Sequence, residues 1–420
     1  MTHLVRESGP GTAPPSAKFQ LIMTSSASPW LLPLIIVLVA FGPVSTDLYL
    51  PSLPRLTEVF ETTSADVQLT LSVFLVGFAC GMLIYGPLSD RFGRRSVLIG
   101  GILLFVVASL ACLAAPSIEW LIAGRFLQAL GAAAGPVLGR AVVRDVYGPS
   151  QAAQALSYVA MAMALAPAAG PVLGGLVTEA FDWWANFLLL LLFGLIALLG
   201  VVVFLPETNR HRDPHATEVR RLLSNYRQLL ISREYLGFVV IVGGGYGGIF
   251  SFISGSSFAL IDGLGLSPLA YGFCFAGAIL GYMGGSFASA RLHGRFKLES
   301  LIGFGCLMML LGSSLGIILA LAGILSVASV VIPASLFFLG SGLVMPNGQA
   351  GALRPYPRLA GSASAMLGFL QMGSAALLGI LVGHFQDGTA KAMMLAMFFA
   401  TLLATFGRYR LLPAVLDRSP

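Results

Sequence analysis

Long apolar runs dominate this chain, and short polar segments separate them. Stretches of about twenty apolar residues, the length that a helix needs to cross a bilayer, recur along the whole chain. They are too long and too continuously apolar for the alternating pattern of barrel strands. The predicted spans are residues 30–53, 67–88, 97–115, 119–141, 153–178, 184–204, 235–260, 269–290, 300–321, 324–347, 361–384 and 391–411. The pattern predicts an all-α integral membrane protein with twelve transmembrane helices.

The longest polar interruption, residues 206–234, divides the spans into two groups of six. We expect an N-terminal six-helix bundle at 23–205, a cytoplasmic linker at 206–234 and a C-terminal bundle at 235–411, followed by a cytoplasmic tail at 412–420. The dipeptide Gly93-Arg94 recurs as Gly294-Arg295, which is a weak sign of duplicated halves.

Residues 1–22 are polar and rich in proline and glycine, without the apolar core of a cleaved signal. They are predicted to form a disordered cytoplasmic tail. Met1 and Met23 are both candidate start residues.

Lysine and arginine are distributed unequally between the two sets of loops. With both termini in the cytoplasm, 21 of the 24 basic residues fall in cytoplasmic segments. Arg55 and Lys391 fall on the opposite side, and Arg125 lies within a span. Because basic residues are retained on the cytoplasmic side of membranes, this asymmetry predicts the orientation.

The composition excludes a soluble fold, since 10% of the residues are charged against about 25% in soluble domains. The net charge of +6 is spread over short loops, which does not indicate a nucleic-acid partner. The four cysteines lie in apolar stretches, and the five histidines show no metal-ligand spacing, so we expect no metal and no cofactor. No catalytic cluster or large polar domain is present, which argues against a membrane enzyme or receptor.

Asp47 is an isolated acid near the end of the first span, in a segment otherwise free of charge. A carboxylate in an apolar span is costly unless it is paired, hydrated or protonated, and intramembrane charges are usually functional. Asp47 is therefore a candidate for binding and releasing a proton. The alternative is an interfacial acid that caps the end of the helix.

The loop after the second span combines small residues with closely spaced charges. Gly86 allows helices to pack closely, and Gly93 permits a tight turn. An acid at this membrane edge can accept bonds from a helix N-terminus, and the arginines can pair with an acid on an adjacent helix. The constellation comprises Gly86, Asp90, Arg91, Gly93 and Arg94, with Asp145 as the candidate acid.

Two further constellations follow. In the fourth span, Arg125 and Gln128 share a helix face, and a guanidinium within a span must face protein or water. A structural arginine that bonds helix-end carbonyls is the alternative. The fifth span ends in small residues and prolines that would form a bent groove for a partner helix. These residues are Pro167, Gly170, Pro171, Gly174 and Gly175.

In this order, the three constellations resemble motifs A, B and C of the major facilitator superfamily. The run from Asp47 to Pro51 resembles the first helix of its drug-exporting branch with twelve spans. Residues 345–347 and 361–368 are similar to the Bcr/CflA-type members, which export bicyclomycin and chloramphenicol. The resemblance covers residues 23–411. Ala129 departs from the glycine that is usual in motif B, and the C-terminal counterpart of motif A, residues 287–295, lacks an acid.

The resemblance implies two pseudo-symmetric six-helix bundles in a bacterial inner (cytoplasmic) membrane, embedded in lipid and active as a monomer. It implies that motif A latches the halves on the cytoplasmic side, that Arg125 is linked to proton transfer, and that motif C is typical of antiporters.

These observations together predict a proton-coupled antiporter that exports small, fairly apolar drugs or related compounds by alternating access. Asp47 would exchange its proton for substrate, and Arg125 would supply a positive potential that favours the ionised acid. The cavity should be mostly apolar with a few polar groups. The candidate polar contacts are Tyr49, Gln128, Tyr246 and Gln371.

Two other transport functions stay open on the same fold. One is an exporter of a metabolite such as an amino acid, sugar or nucleoside, and the other is a proton-linked importer. The direction of substrate movement under an imposed pH gradient distinguishes import from export.

Overall fold

The computed structural model describes residues 29–412. The predicted tail at 1–22, and residues 413–420 of the predicted C-terminal tail, lie outside the described residues. Within the described range the chain is almost entirely helical, and its one β-type pairing is an isolated bridge between His293 and Phe296. The prediction of an all-α membrane fold is confirmed.

The helices follow the predicted spans closely. Those before the linker are α1 (Leu31–Val39), α2 (Phe41–Asp47), α3 (Leu53–Val59), α4 (Ser64–Phe92), α5 (Arg94–Leu113), α6 (Ile118–Ala132), α7 (Ala134–Phe181) and α8 (Trp184–Phe204). The linker contains α9 (Val219–Ile231). After it come α10 (Arg233–Ser257), α11 (Pro268–Leu292), α12 (Leu298–Leu321), α13 (Val327–Leu353), α14 (Ala360–His384) and α15 (Lys391–Phe406). Single turns of 3₁₀ helix lie at Leu50–Ser52 and Pro357–Leu359, and π turns lie at Phe258–Asp262 and Gly407–Leu411.

Within the described range, 10 helices are long and apolar enough to cross a membrane, and a bent pair formed by Leu31–Val39 and Phe41–Val59 raises the number to 11. The predicted fifth span is the second part of α7, of which Leu165–Phe181 is a shorter apolar stretch. The sequence predicts a loop between the fourth and fifth spans, but α7 continues through it as one helix of 48 residues.

Prolines place the breaks in the first and fourth spans. Pro43 has no N–H to donate to the carbonyl of Val39, where α1 ends, and the chain bends by 45°. Pro136 likewise cannot donate to the carbonyl of Ala132, where α6 ends. The fourth span is therefore interrupted near its middle.

The two groups of helices meet along two pairs. Helix α4 packs against α14, and α7 packs against α11, so each half contributes two helices to the seam between them. At the end remote from the arginine-rich loops, Ser254 donates a hydrogen bond to the Gln68 side chain across the seam, at 2.7 Å. Aromatic packing holds the N-terminal half together. The centre of the Phe41 ring lies 4.8 Å from the ring centres of both Phe105 and Phe193.

Candidate functional site

Asp47 is buried at the C-terminal end of α2, where only 3% of its surface is exposed. The Thr46 hydroxyl donates a hydrogen bond to its carboxylate at 2.9 Å. Among the described residues no basic side chain lies within ion-pair distance of it. A buried acid with one hydroxyl partner and no cation is costly to hold as a bare carboxylate, which is the condition expected of a proton-exchanging group.

Arg125 is fully buried on α6 and fastens that helix to the first span. Its Nη1 donates to the carbonyl of Ser45 at 2.9 Å and to the Gln128 side chain at 2.6 Å. The guanidinium lies between two rings, 4.7 Å from the centre of Tyr49 and 4.2 Å from that of Phe74. Its Nε and Nη2 atoms have no hydrogen-bond partner in the described part of the chain.

Arg125 therefore forms a hydrogen bond with the backbone two residues before Asp47, and it does not form an ion pair with the acid. The sequence placed both residues in the membrane but could not indicate this arrangement. The contact with Ser45 is compatible with both interpretations of Arg125, a role in proton transfer and a structural role in bonding carbonyls.

The four candidate polar contacts occupy different surroundings. The Tyr49 hydroxyl is hydrogen-bonded to Thr70, and Gln128 donates to Ser109 at 2.8 Å while accepting from the buried guanidinium. Both side chains are fully buried in the N-terminal half. In the C-terminal half, Tyr246 is half-buried. Gln371 is largely buried and accepts a long hydrogen bond, 3.4 Å, from Gln349.

The small residues of the fifth span bring α7 against the backbone beside Asp47. A Cβ added at Gly170 would lie 3.0 Å from the Cβ of Asp47, and one added at Gly174 would overlap the carbonyl oxygen of Leu48. Only glycine permits this approach. Pro167, one turn before, is half-buried.

The same stretch of α7 also contacts the C-terminal half. A Cβ at Gly175 would overlap the carbonyl of Pro268, and one at Gly272 of α11 would lie 2.6 Å from the carbonyl of Pro171. The turn Leu50–Ser52, which follows shortly after Asp47, contacts α10 and α11 of the C-terminal half. Asp47 therefore lies at the seam. It is next to α7, the helix of the N-terminal half that packs against α11 of the C-terminal half.

The loop after the second span forms a charge cluster at the arginine-rich end of the molecule. Arg94 pairs with Asp90 at 2.5 Å and with Asp145 at 3.1 Å. Gly93 adopts a φ of +100°, a conformation that favours glycine. Arg91 instead donates to Thr217 of the linker at 2.6 Å. The added Cβ at Gly86 would meet no atom within 4 Å, so no close helix contact occurs there in this state.

Glu207 is a member of this cluster that the sequence reasoning missed. Its carboxylate accepts from the backbone N–H groups of Arg94 at 2.9 Å and Arg95 at 3.3 Å, and so caps the N-terminus of α5. Asn209 follows and donates to the carbonyls of Ser89 and Asp90. In the sequence, Glu207 is visible only as an acid shortly after the sixth span. An acid in a loop does not reveal by itself which helix N-terminus it caps.

A cavity of about 550 Å³ lies between the halves at the arginine-rich end. We call it the basic chamber. Its walls come from α4, the start of α5, α7, the linker, the end of α13, the turn Pro357–Leu359 and the start of α14. The described residues that line it do not include Asp47, Arg125 or any of the four candidate polar contacts.

The fold, the buried acid at a seam and the chamber between two helix bundles define a membrane transporter of small molecules. The chain belongs to the Major Facilitator Superfamily, whose family model matches residues 34–380. This is a family of carriers and not of enzymes, and the predicted family is confirmed.

Two relatives carry names from the drug-resistance branch, as the resemblance predicts. Multidrug resistance protein D of Escherichia coli is 30% identical over 374 residues, which cover 89% of this chain and 93% of that protein. The bicyclomycin resistance protein homolog of Haemophilus influenzae is 27% identical over 373 residues, covering 89% and 94%. Among solved structures, a bacterial homologue of the human lysosomal transporter Spinster, in an inward-facing conformation, shares the fold with a TM-score of 0.71 at 14% identity, covering 93% and 98%.

Proposed function

We propose that this protein is a proton-coupled antiporter that exports small, fairly apolar compounds across the bacterial inner membrane, as a monomer with both termini in the cytoplasm. The names of the two relatives support drug resistance as the physiological outcome. The arginine-rich loops support the orientation.

The observation that carries the proposal is the position of Asp47. It is a buried acid without a cationic partner in the described range. It contacts α7, the helix of the N-terminal half that packs against the C-terminal half. A group in this position changes its surroundings whenever the halves rock, because the seam must open on one side as it closes on the other. The acid would bind a proton from the outer side and release it inward when substrate binds or water reaches it.

Arg125 contributes by holding the backbone that precedes the acid. Its bond to the Ser45 carbonyl fixes one side of the guanidinium, and Nε and Nη2 have no hydrogen-bond partner among residues 29–412. We propose that these two N–H groups take up the ionised Asp47 or a water when α2 shifts. Charge stabilisation would then occur in only one of the two states, which is what coupling requires.

The arrangement of contacts supports alternating access. The outer ends of the halves are joined by the Gln68–Ser254 bond, and the basic chamber separates them at the other end. With the arginine-rich loops in the cytoplasm, this is an inward-facing arrangement. Tyr246 and Gln371 are the proposed substrate contacts in the C-terminal half, and Tyr49 and Gln128 those in the N-terminal half.

The test compares Asp47→Asn with the wild type in a pump-deficient bacterium and in vesicles. A survival screen against varied antibiotics first identifies a transported compound. Asp47→Asn is then expected to abolish uphill export driven by a pH gradient while some substrate binding persists. Asp387→Asn, in an exposed loop, is the matched control and should export normally. Full uphill export by Asp47→Asn would rule out this acid as the coupling group.

A further inference from the structure

The basic chamber carries an excess of positive charge that its own acids do not balance. Five arginines and two aspartates line it. Both aspartates are engaged, because Asp90 pairs with Arg94 at 2.5 Å and Asp213 pairs with Arg221 at 2.8 Å. Within each of these two pairs, the positive and the negative charge neutralise each other.

The three remaining arginines have no acidic partner within ion-pair distance among the described residues. Arg140 and Arg144 lie one turn apart on α7 and repel one another, and Arg358 comes from the 3₁₀ turn before α14. Like charges four residues apart destabilise a helix. Arg140, Arg144 and Arg358 thus line one shared space from both halves.

The retention of basic residues in cytoplasmic loops accounts for arginines near this end of the molecule. It does not account for their convergence, since topology requires only that they lie on the correct side. Here they line one chamber between the halves, under a linker that adds Leu222 and Tyr226 to its wall.

Much of the rest of the chamber wall is apolar, although Ser89, Asn225, Ser362 and Ser364 also line it. Met82, Leu138, Leu156, Leu222 and Leu353 face it from four different elements. A volume of about 550 Å³ lies within the range of sites that bind drug-sized molecules. An arginine binds carboxylate, sulfonate or phosphate with two parallel N–H donors. The chamber therefore combines apolar side chains with arginines that can bind an anion.

We propose that the basic chamber binds the acidic group of an anionic amphiphile at Arg140, Arg144 and Arg358, with the apolar body of the molecule against the leucines. The ligand is either a soluble organic acid or the headgroup of an anionic lipid. Its export as substrate rests on the proposed function, whereas its binding does not.

The experiment titrates naphthoate and naphthamide, which share one apolar body and differ in charge, into protein held in phosphatidylcholine nanodiscs. Calorimetry should show naphthoate binding about tenfold more tightly than naphthamide. The triple variant Arg140→Gln, Arg144→Gln, Arg358→Gln should lose this preference and still bind naphthamide, which also shows that it is folded. Single variants at the same positions should each lose part of it.

The matched control is the triple variant Arg291→Gln, Arg295→Gln, Lys297→Gln, which removes the same amount of positive charge from the end of α11 and the loop after it, outside the chamber. It should keep the preference for naphthoate. Equal binding of the two compounds by the wild type, or an equal loss in the control, would overturn the proposal.

The source of the anion follows from one further comparison. If adding phosphatidylglycerol to the nanodiscs weakens naphthoate binding in the wild type alone, a lipid headgroup occupies the site. If it does not, the ligand is a soluble acid. The variant Asp47→Asn should keep the preference for naphthoate while it loses uphill export, so failure of this inference and failure of the proposed function give different results.

Discussion

Asp47 and Gly170 are in direct contact: a methyl group at position 170 would lie 3.0 Å from the Cβ of the acid. The acid belongs to the first span, and the glycine belongs to the long helix that also packs on the C-terminal half. A movement of either half against the other therefore reaches the acid through its packing neighbour. Under the proposed function, this contact would connect proton exchange at Asp47 with the movement of the halves.

The fit of α7 against the first span should be sensitive to one methyl group. Gly174→Ala places a Cβ on the carbonyl of Leu48, and we expect the free energy of unfolding to fall by about 1–3 kcal/mol because two backbones must separate. Thermal unfolding in detergent measures the effect. Gly100→Ala is the matched control, since its added Cβ would meet no atom within 4 Å. Equal stability of the two variants would contradict the packing described here.

Arg125 should not be replaceable by another cation. Arg125→Lys keeps the charge, but an ammonium cannot bond Ser45 and Gln128 while stacking between two rings as a guanidinium does. We expect uphill export in vesicles to fall by at least about tenfold. Arg55→Lys, at an exposed ion pair, should leave export unchanged. Normal export by Arg125→Lys would show that positive charge alone is sufficient.

Glu179 should hold the outer side closed. Its carboxylate accepts from the backbone N–H of Leu269 at 2.9 Å, which ties the end of α7 to the start of α11 in the other half. Glu179→Gln weakens this charge-assisted bond, and the population open to the outside should rise about fivefold. Distances between spin labels on the outer ends of the two halves measure this population. Glu119→Gln, whose partner Ser117 lies in the same half, should leave the distances unchanged.

The internal structure of the linker should loosen in acid. Hydrogen bonding from the backbone N–H of His215, together with Arg221, lowers the pKa of Asp213 below its usual value. The ionised form is therefore favoured in the folded state. Its contribution is fully present above the unfolded pKa of about 3.9, and it is lost as the pH falls through the lower folded value.

The measurement is the mobility of a spin label at Glu218→Cys in a background without other cysteines, followed across this pH range. Mobility should rise as the pH falls in the wild type. Asp213→Asn should be mobile at every pH, because it lacks the titrating group. A pH response in Asp213→Asn equal to that of the wild type would assign the effect to another residue.

The hydrophobic pattern was sufficient to predict the all-α membrane fold and nearly every span, because the cost of placing polar backbone in lipid is a local property of about twenty residues. It was also sufficient to single out Asp47 and Arg125 as charges within spans. It predicted a loop near residue 148 that the structure does not contain, and it missed the break before Pro136. A proline marks a possible break, and the packing of the neighbouring helices decides whether one forms.

By itself, then, the sequence determined which segments enter the membrane, which side carries the positive loops and which residues are chemically unusual for their depth. Only the tertiary structure decided that Arg125 bonds the carbonyl of Ser45 and not Asp47, that Glu207 caps α5, and that three arginines converge on one chamber. The first set depends on transfer of short segments from water to lipid. The second depends on contacts between residues far apart in the chain, which helix packing sets and local composition does not encode.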